Sequence, residues 1–145
     1  MPFQISFDVS EYPIVYIVDK KSESVLVFNA EKQEFLRKIR LQLPEDKAIR
    51  FMGAKFKKLP DGFLVELVSS AHDTYHPDFY RASGNQVYFY DNEGTVKGST
   101  QEYPEEYRTL SGSSKPVSYL TMGDFGNDII LSFPHSRKLS FHLAS

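Results

Sequence analysis

The stretch "LPDGFLVELVSS", residues 59–70, decides the fold. Pro60, Asp61 and Gly62 form a turn signal, because proline presets one turn angle and glycine accepts the angles that other residues resist. From Phe63 to Val68 every residue but Glu66 is apolar. A half-exposed strand alternates apolar and polar residues; a run apolar at nearly every position reads as a strand buried on both faces. Such a strand needs a layer on each side.

Working outward, period two dominates the chain. "PIVYIVDK" and "SVLVFNA" read as a pair of strands, followed by "EFLRKIRLQL", in which Phe35, Arg37, Ile39 and Leu41 share one face. Residues 31–43 also suit a helix by composition, since Glu, Lys, Gln, Leu and Arg are good helix formers. No capping residue precedes them, which favours the strand. The expected strands are 3–9, 14–19, 24–29 and 34–41; then 51–59, 63–69, 86–91 and 95–100; then 117–122, 128–133 and 138–143.

This grouping predicts one all-β domain of antiparallel four-stranded meanders, arranged as β-propeller blades at about 2–43, 50–101 and 116–145. The repeat spacing suits blades of about 40–50 residues with a long insertion in each later one. Within each block the strands run from apolar to polar, as expected for a blade whose outer strand is exposed. The competing architecture is a single antiparallel β-barrel of lipocalin type, which this length also suits. The long segments at 70–85 and 101–116 favour blades over the evenly spaced hairpins of a barrel.

Composition narrows the function classes. The chain has 145 residues, is 41% hydrophobic and carries a net charge of −2. That is ordinary globular composition with no basic field for nucleic acid. Lys55, Lys57 and Lys58 cluster, but acidic residues flank them. There is no cysteine, which excludes disulfides and thiolate chemistry. No apolar run is long enough for a transmembrane helix. The opening "MPFQISFDVS" has no basic region followed by a long apolar run, so no export leader is expected.

"YIVDKKSESVLVFNAEKQEFLRKIRL", "GAKFKKLPDGFLVELVSS" and "NQVYFYDNEGTVKGSTQEYP" together resemble the uncharacterised six-bladed β-propeller proteins common in Bacteroidetes. The resemblance spans roughly residues 12–143. It rests on a hydrophobic strand pair, a turn containing Asn29, the "LPDGF" opening of a blade and the "VYFYDNEG" hairpin. It implies a cell-envelope protein, often lipid-anchored, with no established activity. This chain has no lipobox cysteine, and its length covers about three blades rather than six. An open half ring leaves strand edges and apolar faces uncovered. Self-association, or membership of a longer chain, is therefore expected.

The candidate site is "SAHDTYHPDFYRASG", residues 70–84. His72 and His76 have the spacing of helical zinc ligands, but Pro77 forces the residue before it toward extended backbone. In a loop, His72, Asp73 and His76 still offer metal-type donors. The plainer expectation is a solvated loop whose aromatics Tyr75, Phe79 and Tyr80 pack over a sheet edge. The candidate binding residues are His72, Asp73, Tyr75, His76, Asp78, Phe79 and Tyr80, with no catalytic residue and no cofactor implied. "DNEG" and "GDFGND" lack calcium-loop spacing and read as hairpin turns in which Asn, Asp or Gly takes positive φ. No nucleophile elbow or phosphate loop occurs. The expected function is a non-enzymatic binding or scaffolding module for an unknown protein or small molecule. The alternatives are a metal-dependent propeller hydrolase of lactonase type and, with a barrel fold, a carrier of small hydrophobic ligands.

Overall fold

The computed structural model describes residues 6–50, 53–71, 78–103, 105, 121–125, 128–132 and 140–143. Twelve strands and one helical turn follow in order: β1 (Ser6–Asp8), β2 (Ile14–Asp19), β3 (Ser24–Asn29), β4 (Glu34–Arg40), β5 (Lys47–Ile49), β6 (Phe56–Leu59), β7 (Gly62–Ser69), α1 (Phe79–Ala82), β8 (Asn85–Asp91), β9 (Val96–Glu102), β10 (Thr121–Phe125), β11 (Asp128–Ser132) and β12 (Ser140–Leu143). They form three antiparallel sheets in chain order. The first is the meander β1-β2-β3-β4, the second runs β5-β7-β8-β9 with β6 also on β7, and the third is β10-β11-β12. None of these sheets closes on itself among the described residues. No helix among them is long and apolar enough to cross a membrane.

The hydrophobic core has two parts, one on each side of the second sheet. Phe63, Val65 and Leu67 of β7, with Tyr88 and Tyr90 of β8, pack against Tyr16, Val18, Val25, Val27 and Ile39 of the first sheet. Leu64 of β7 and Val87 of β8 pack on the other side, with Ile129 and Leu131 of β11. Alternate residues of β7 therefore enter different cores, the two-sided burial expected of its sequence. Fully burying each such side chain stabilises by roughly 1.5–3 kcal/mol.

Glu66 is the polar exception in β7, and its surroundings explain it. Strands β5 and β6 lie on the same edge of β7, with Ile49 opposite Leu67 and Phe56 opposite Val65. Glu66 falls at the break between them. Its backbone N–H donates to the Lys55 carbonyl at 2.8 Å, and its Oε1 accepts the Lys55 N–H at 3.0 Å. Its Oε2 stands 3.4 Å from Arg50 Nη1. Burial pushes this carboxyl up, while the Lys55 amide and the Arg50 charge draw it back down. The side chain supplies the pairing that the interrupted strand cannot.

Three hairpin turns share one device. Asp19 accepts the N–H groups of Lys21 and Ser22, Asn29 accepts that of Lys32, and Asp91 accepts those of Glu93 and Thr95. Positive φ falls not on these residues but on Glu23, Gln33 and Gly94. In the "DNEG" turn Gly94 takes it, as the sequence allows, and the Asp and Asn side chains have another role. Their short carboxyl and amide groups instead satisfy turn amides, as Asx turns do.

Other boundaries also differ from expectation. Strand β5 is absent from the sequence reading, because three residues beginning with lysine carry no period. Strand β10 continues through Asp124 and Phe125, where the sequence predicts the start of a turn. The segment drawn either as strand or helix is strand β4. Expected strand residues 3–5, 51–52, 117–120, 133 and 138–139 lie outside the described residues.

Two glycines permit close approach. A Cβ on Gly62 would lie 1.8 Å from the Tyr90 carbonyl oxygen, and one on Gly94 would lie 2.1 Å from that of Arg40. Gly94 has φ +86 as well, and its carbonyl accepts the Gln42 N–H at 2.8 Å, joining the second sheet to the chain leaving the first. Gly62→Ala and Gly94→Ala should each lose about 3 kcal/mol through this backbone overlap. Gly98→Ala, where a Cβ meets nothing within 4 Å, should stay within about 1 kcal/mol of the parent. Urea unfolding checks this; equal losses at all three positions would contradict it.

Candidate functional site

Of the candidate residues, His72, Asp73, Tyr75 and His76 lie outside the described residues. Asp78, Phe79 and Tyr80 are described, and they show how the 70–84 segment is held. Asp78 precedes the single turn α1, making no side-chain cap bond to it. The Ser83 hydroxyl donates back to the Phe79 carbonyl. This helical turn just after Pro77 departs from the expected loop.

Phe79 and Tyr80 are only 3% and 4% exposed. Their rings meet edge to face, with centroids 5.2 Å apart. Tyr103, 1% exposed, completes the group: its centroid is 5.7 Å from that of Phe79 and 4.8 Å from that of Tyr80. Edge-to-face pairs add about 0.5–1.5 kcal/mol beyond the area they bury. Phe79 and Tyr80 thus anchor the segment inside the second core rather than present apolar surface to a partner. Tyr103 belongs to the stretch 101–116 that reads as a polar loop; the structure puts this residue in the core. The end of one long segment and the start of the other are consequently fastened at the same place.

A second tether is electrostatic. Lys47 Nζ, at the start of β5, donates to the Ser83 carbonyl and, at 2.7 Å, to the Asn85 carbonyl. The ammonium also lies 5.8 Å from the centre of the Tyr88 ring. Burial lowers this amine to about 8. Asn85 Nδ2 donates to Ser99 Oγ at 3.0 Å, tying the same end of β8 to β9. Beside it Gln86 is wholly buried, and neither polar atom of its side-chain amide has a hydrogen-bond partner among the described residues.

A third cluster has the residue types of acid–base chemistry. Tyr16 O–H donates to Glu11 Oε1 at 2.8 Å, and Lys58 Nζ lies 3.5 Å from Glu11 Oε2. The ammonium sits 5.6 Å from the Tyr16 ring centre and 5.4 Å from that of Phe63. It also donates to the Leu59 carbonyl. Burial, then the bond to Glu11 and its charge, pushes the Tyr16 phenol up to about 12. The Lys58 side chain is only 5% exposed. Enclosed by two rings and its own strand, it fastens the seam between the first two sheets and offers no open face to a substrate. Asp8 of β1 accepts the Lys58 N–H at 2.9 Å across the same seam. Sequence alone showed Lys58 as one charge in a basic cluster; only the β1–β6 contact reveals its burial.

Among the described residues, no three His, Asp or Glu side chains are grouped to hold a metal ion. No family model, no curated protein and no solved structure matches this chain.

The Lys47 tether has a titration signature. A folded-state amine near 8 releases its proton before the unfolded one near 10.5. Between those values the unfolded chain holds more protons, so the contribution of Lys47 to stability rises with pH across that window. The ¹³Cε resonance of Lys47 should titrate with a midpoint near 8. A midpoint near 10.5 would show a hydrated amine and remove the tether.

Proposed function

We propose that this chain is a non-enzymatic binding or scaffolding module built from β-propeller blades, and that residues 70–84 form its main recognition surface. The observation that carries this is the aromatic group Phe79, Tyr80 and Tyr103, which fixes both long segments to one point of the core. Loops fastened at their bases to a rigid scaffold are the common way that domains present variable contact residues. On this reading His72, Asp73, Tyr75 and His76 supply the contacts, and Asp78 flanks them. Phe79 and Tyr80 hold the segment in place.

The blade interpretation draws on the sheets themselves. Each of the first two is a meander ending in an exposed strand, β4 or β9, and the second is covered on both faces. Consecutive twisted meanders stacked face to face are how propellers are built. The resemblance to six-bladed propellers of the bacterial cell envelope belongs to the same proposal. Binding in place of catalysis is favoured by the Lys58–Tyr16–Glu11 cluster, in which Lys58 and Tyr16 are buried and committed to packing while Glu11 alone is exposed.

Selection of displayed random peptides against the immobilised chain tests the proposal. Binders should lose at least about tenfold in affinity, or roughly 1.4 kcal/mol, on Tyr75→Ala or His76→Ala. The chain supplied with Zn²⁺ or Ca²⁺ should hydrolyse no member of a lactone series. One equivalent of tightly held metal, with lactone turnover that disappears in His72→Ala, Asp73→Ala and His76→Ala, would overturn it in favour of a hydrolase.

A further inference from the structure

The first sheet has two faces, and the core uses only one. Tyr16, Val18, Val25, Val27 and Ile39 point toward the second sheet. The alternate residues point away, because side chains along a strand alternate between faces. Register puts Phe7, Ile17 and Leu26 in one cross-strand row and Val15, Phe28 and Phe35 in the next. Phe7 is 59% exposed and Phe35 is 54% exposed, while the other four are half-buried. The Phe28 and Phe35 rings already meet edge to face at 5.4 Å. This is a continuous apolar surface on the outside of the protein.

Its size and charge indicate what covers it. Four strands about 4.8 Å apart, of 3, 6, 6 and 7 residues, make a face at most roughly 20 Å on a side. Val9, Tyr12 and Leu36, close in sequence to these strands' residues, are exposed as well. A face of roughly 400 Å² is about half the roughly 800 Å² per partner of a standard interface, the range of a weak, reversible pair. Lys38 continues the Phe7–Ile17–Leu26 row. The Ser22 hydroxyl, local amides and, more weakly, the Lys38 charge hold Asp19 below the usual carboxylate range. The lysine charge therefore has a nearby counter-charge on its own sheet. Asp19 and Arg40 stand either side of Ser24 in the next row, so the face carries both signs, and a second copy turned over can set its Asp19 against Lys38 or Arg40. The opposite side of this sheet already packs on an antiparallel sheet of the same chain, so the mode of contact is one these sequences support.

We propose that the outward face of the first sheet is a self-association surface, occupied by the same face of a second copy of this chain. Such a two-fold contact is self-complementary and closes at two molecules. It stands independently of the recognition segment at 70–84 and of the blade interpretation, so either can fail without the other.

Sedimentation velocity and light scattering on the purified chain, up to about 100 μM, test this. The parent should show a concentration-dependent mass reaching twice 16.7 kDa. Phe7→Glu and Phe35→Glu alter side chains that are more than half exposed in the single copy, so circular dichroism and melting should be retained. Each variant should weaken association at least a hundredfold. A parent that stays monomeric at the highest concentration would overturn the proposal. So would a dimer of unchanged affinity in both folded variants.

Discussion

Strand β7 has no face that water can wet, and the arrangement of the molecule follows from that constraint. Phe63, Val65 and Leu67 enter one core while Leu64 enters the other. A single sandwich would cover only one of these sets. The second sheet therefore lies between the first and the third. Glu66 survives in this setting because it pairs with the backbone and guanidinium at the break between β5 and β6. A buried carboxylate without such partners would cost several kcal/mol. Its position at the interruption is what makes the strand viable.

The contacts joining the first two sheets are more polar than their core. Lys58 enters a cage of Tyr16, Phe63 and Glu11, while Gln42 meets the hairpin between β8 and β9. Gln42 N–H donates to the Gly94 carbonyl, its Oε1 accepts the Val96 N–H at 3.0 Å, and its carbonyl accepts the Tyr90 hydroxyl at 2.8 Å. Apolar packing between sheets tolerates sliding; hydrogen bonds with fixed geometry do not. These groups set the register of one sheet on the next, and the third sheet joins mainly through the apolar and aromatic second core.

Much of this was legible in the residues. Strands β2 and β3 stand at 14–19 and 24–29, where the apolar runs "PIVYIVDK" and "SVLVFNA" put them. Local periodicity and turn chemistry suffice for such hairpins. What escaped depends on contacts distant in sequence. Strand β5 is too short and charged to carry a period, and is defined only by pairing with residues 67–69 of β7. Tyr103 looks like one tyrosine in a polar stretch until Phe79 and Tyr80 come beside it. That those two rings pack on a sheet is the plainer expectation from sequence; that they enter the second core beside Tyr103 is not legible there, because a loop aromatic that anchors and one that recognises have the same sequence. Lys47 gave no signal, since its partners are backbone carbonyls whose positions follow from the fold.

Native-state hydrogen exchange on the assigned amides tests the two-sided burial of β7 most directly. Amides of Leu64, Val65 and Glu66 in β7 and of Val87 and Tyr88 in β8 should exchange only through global unfolding, with the slowest rates in the chain. Amides on the free edge of β4 should exchange orders of magnitude faster. If the β7 amides instead exchange as fast as that edge, the second sheet is not enclosed between two others, and the stacked arrangement is wrong.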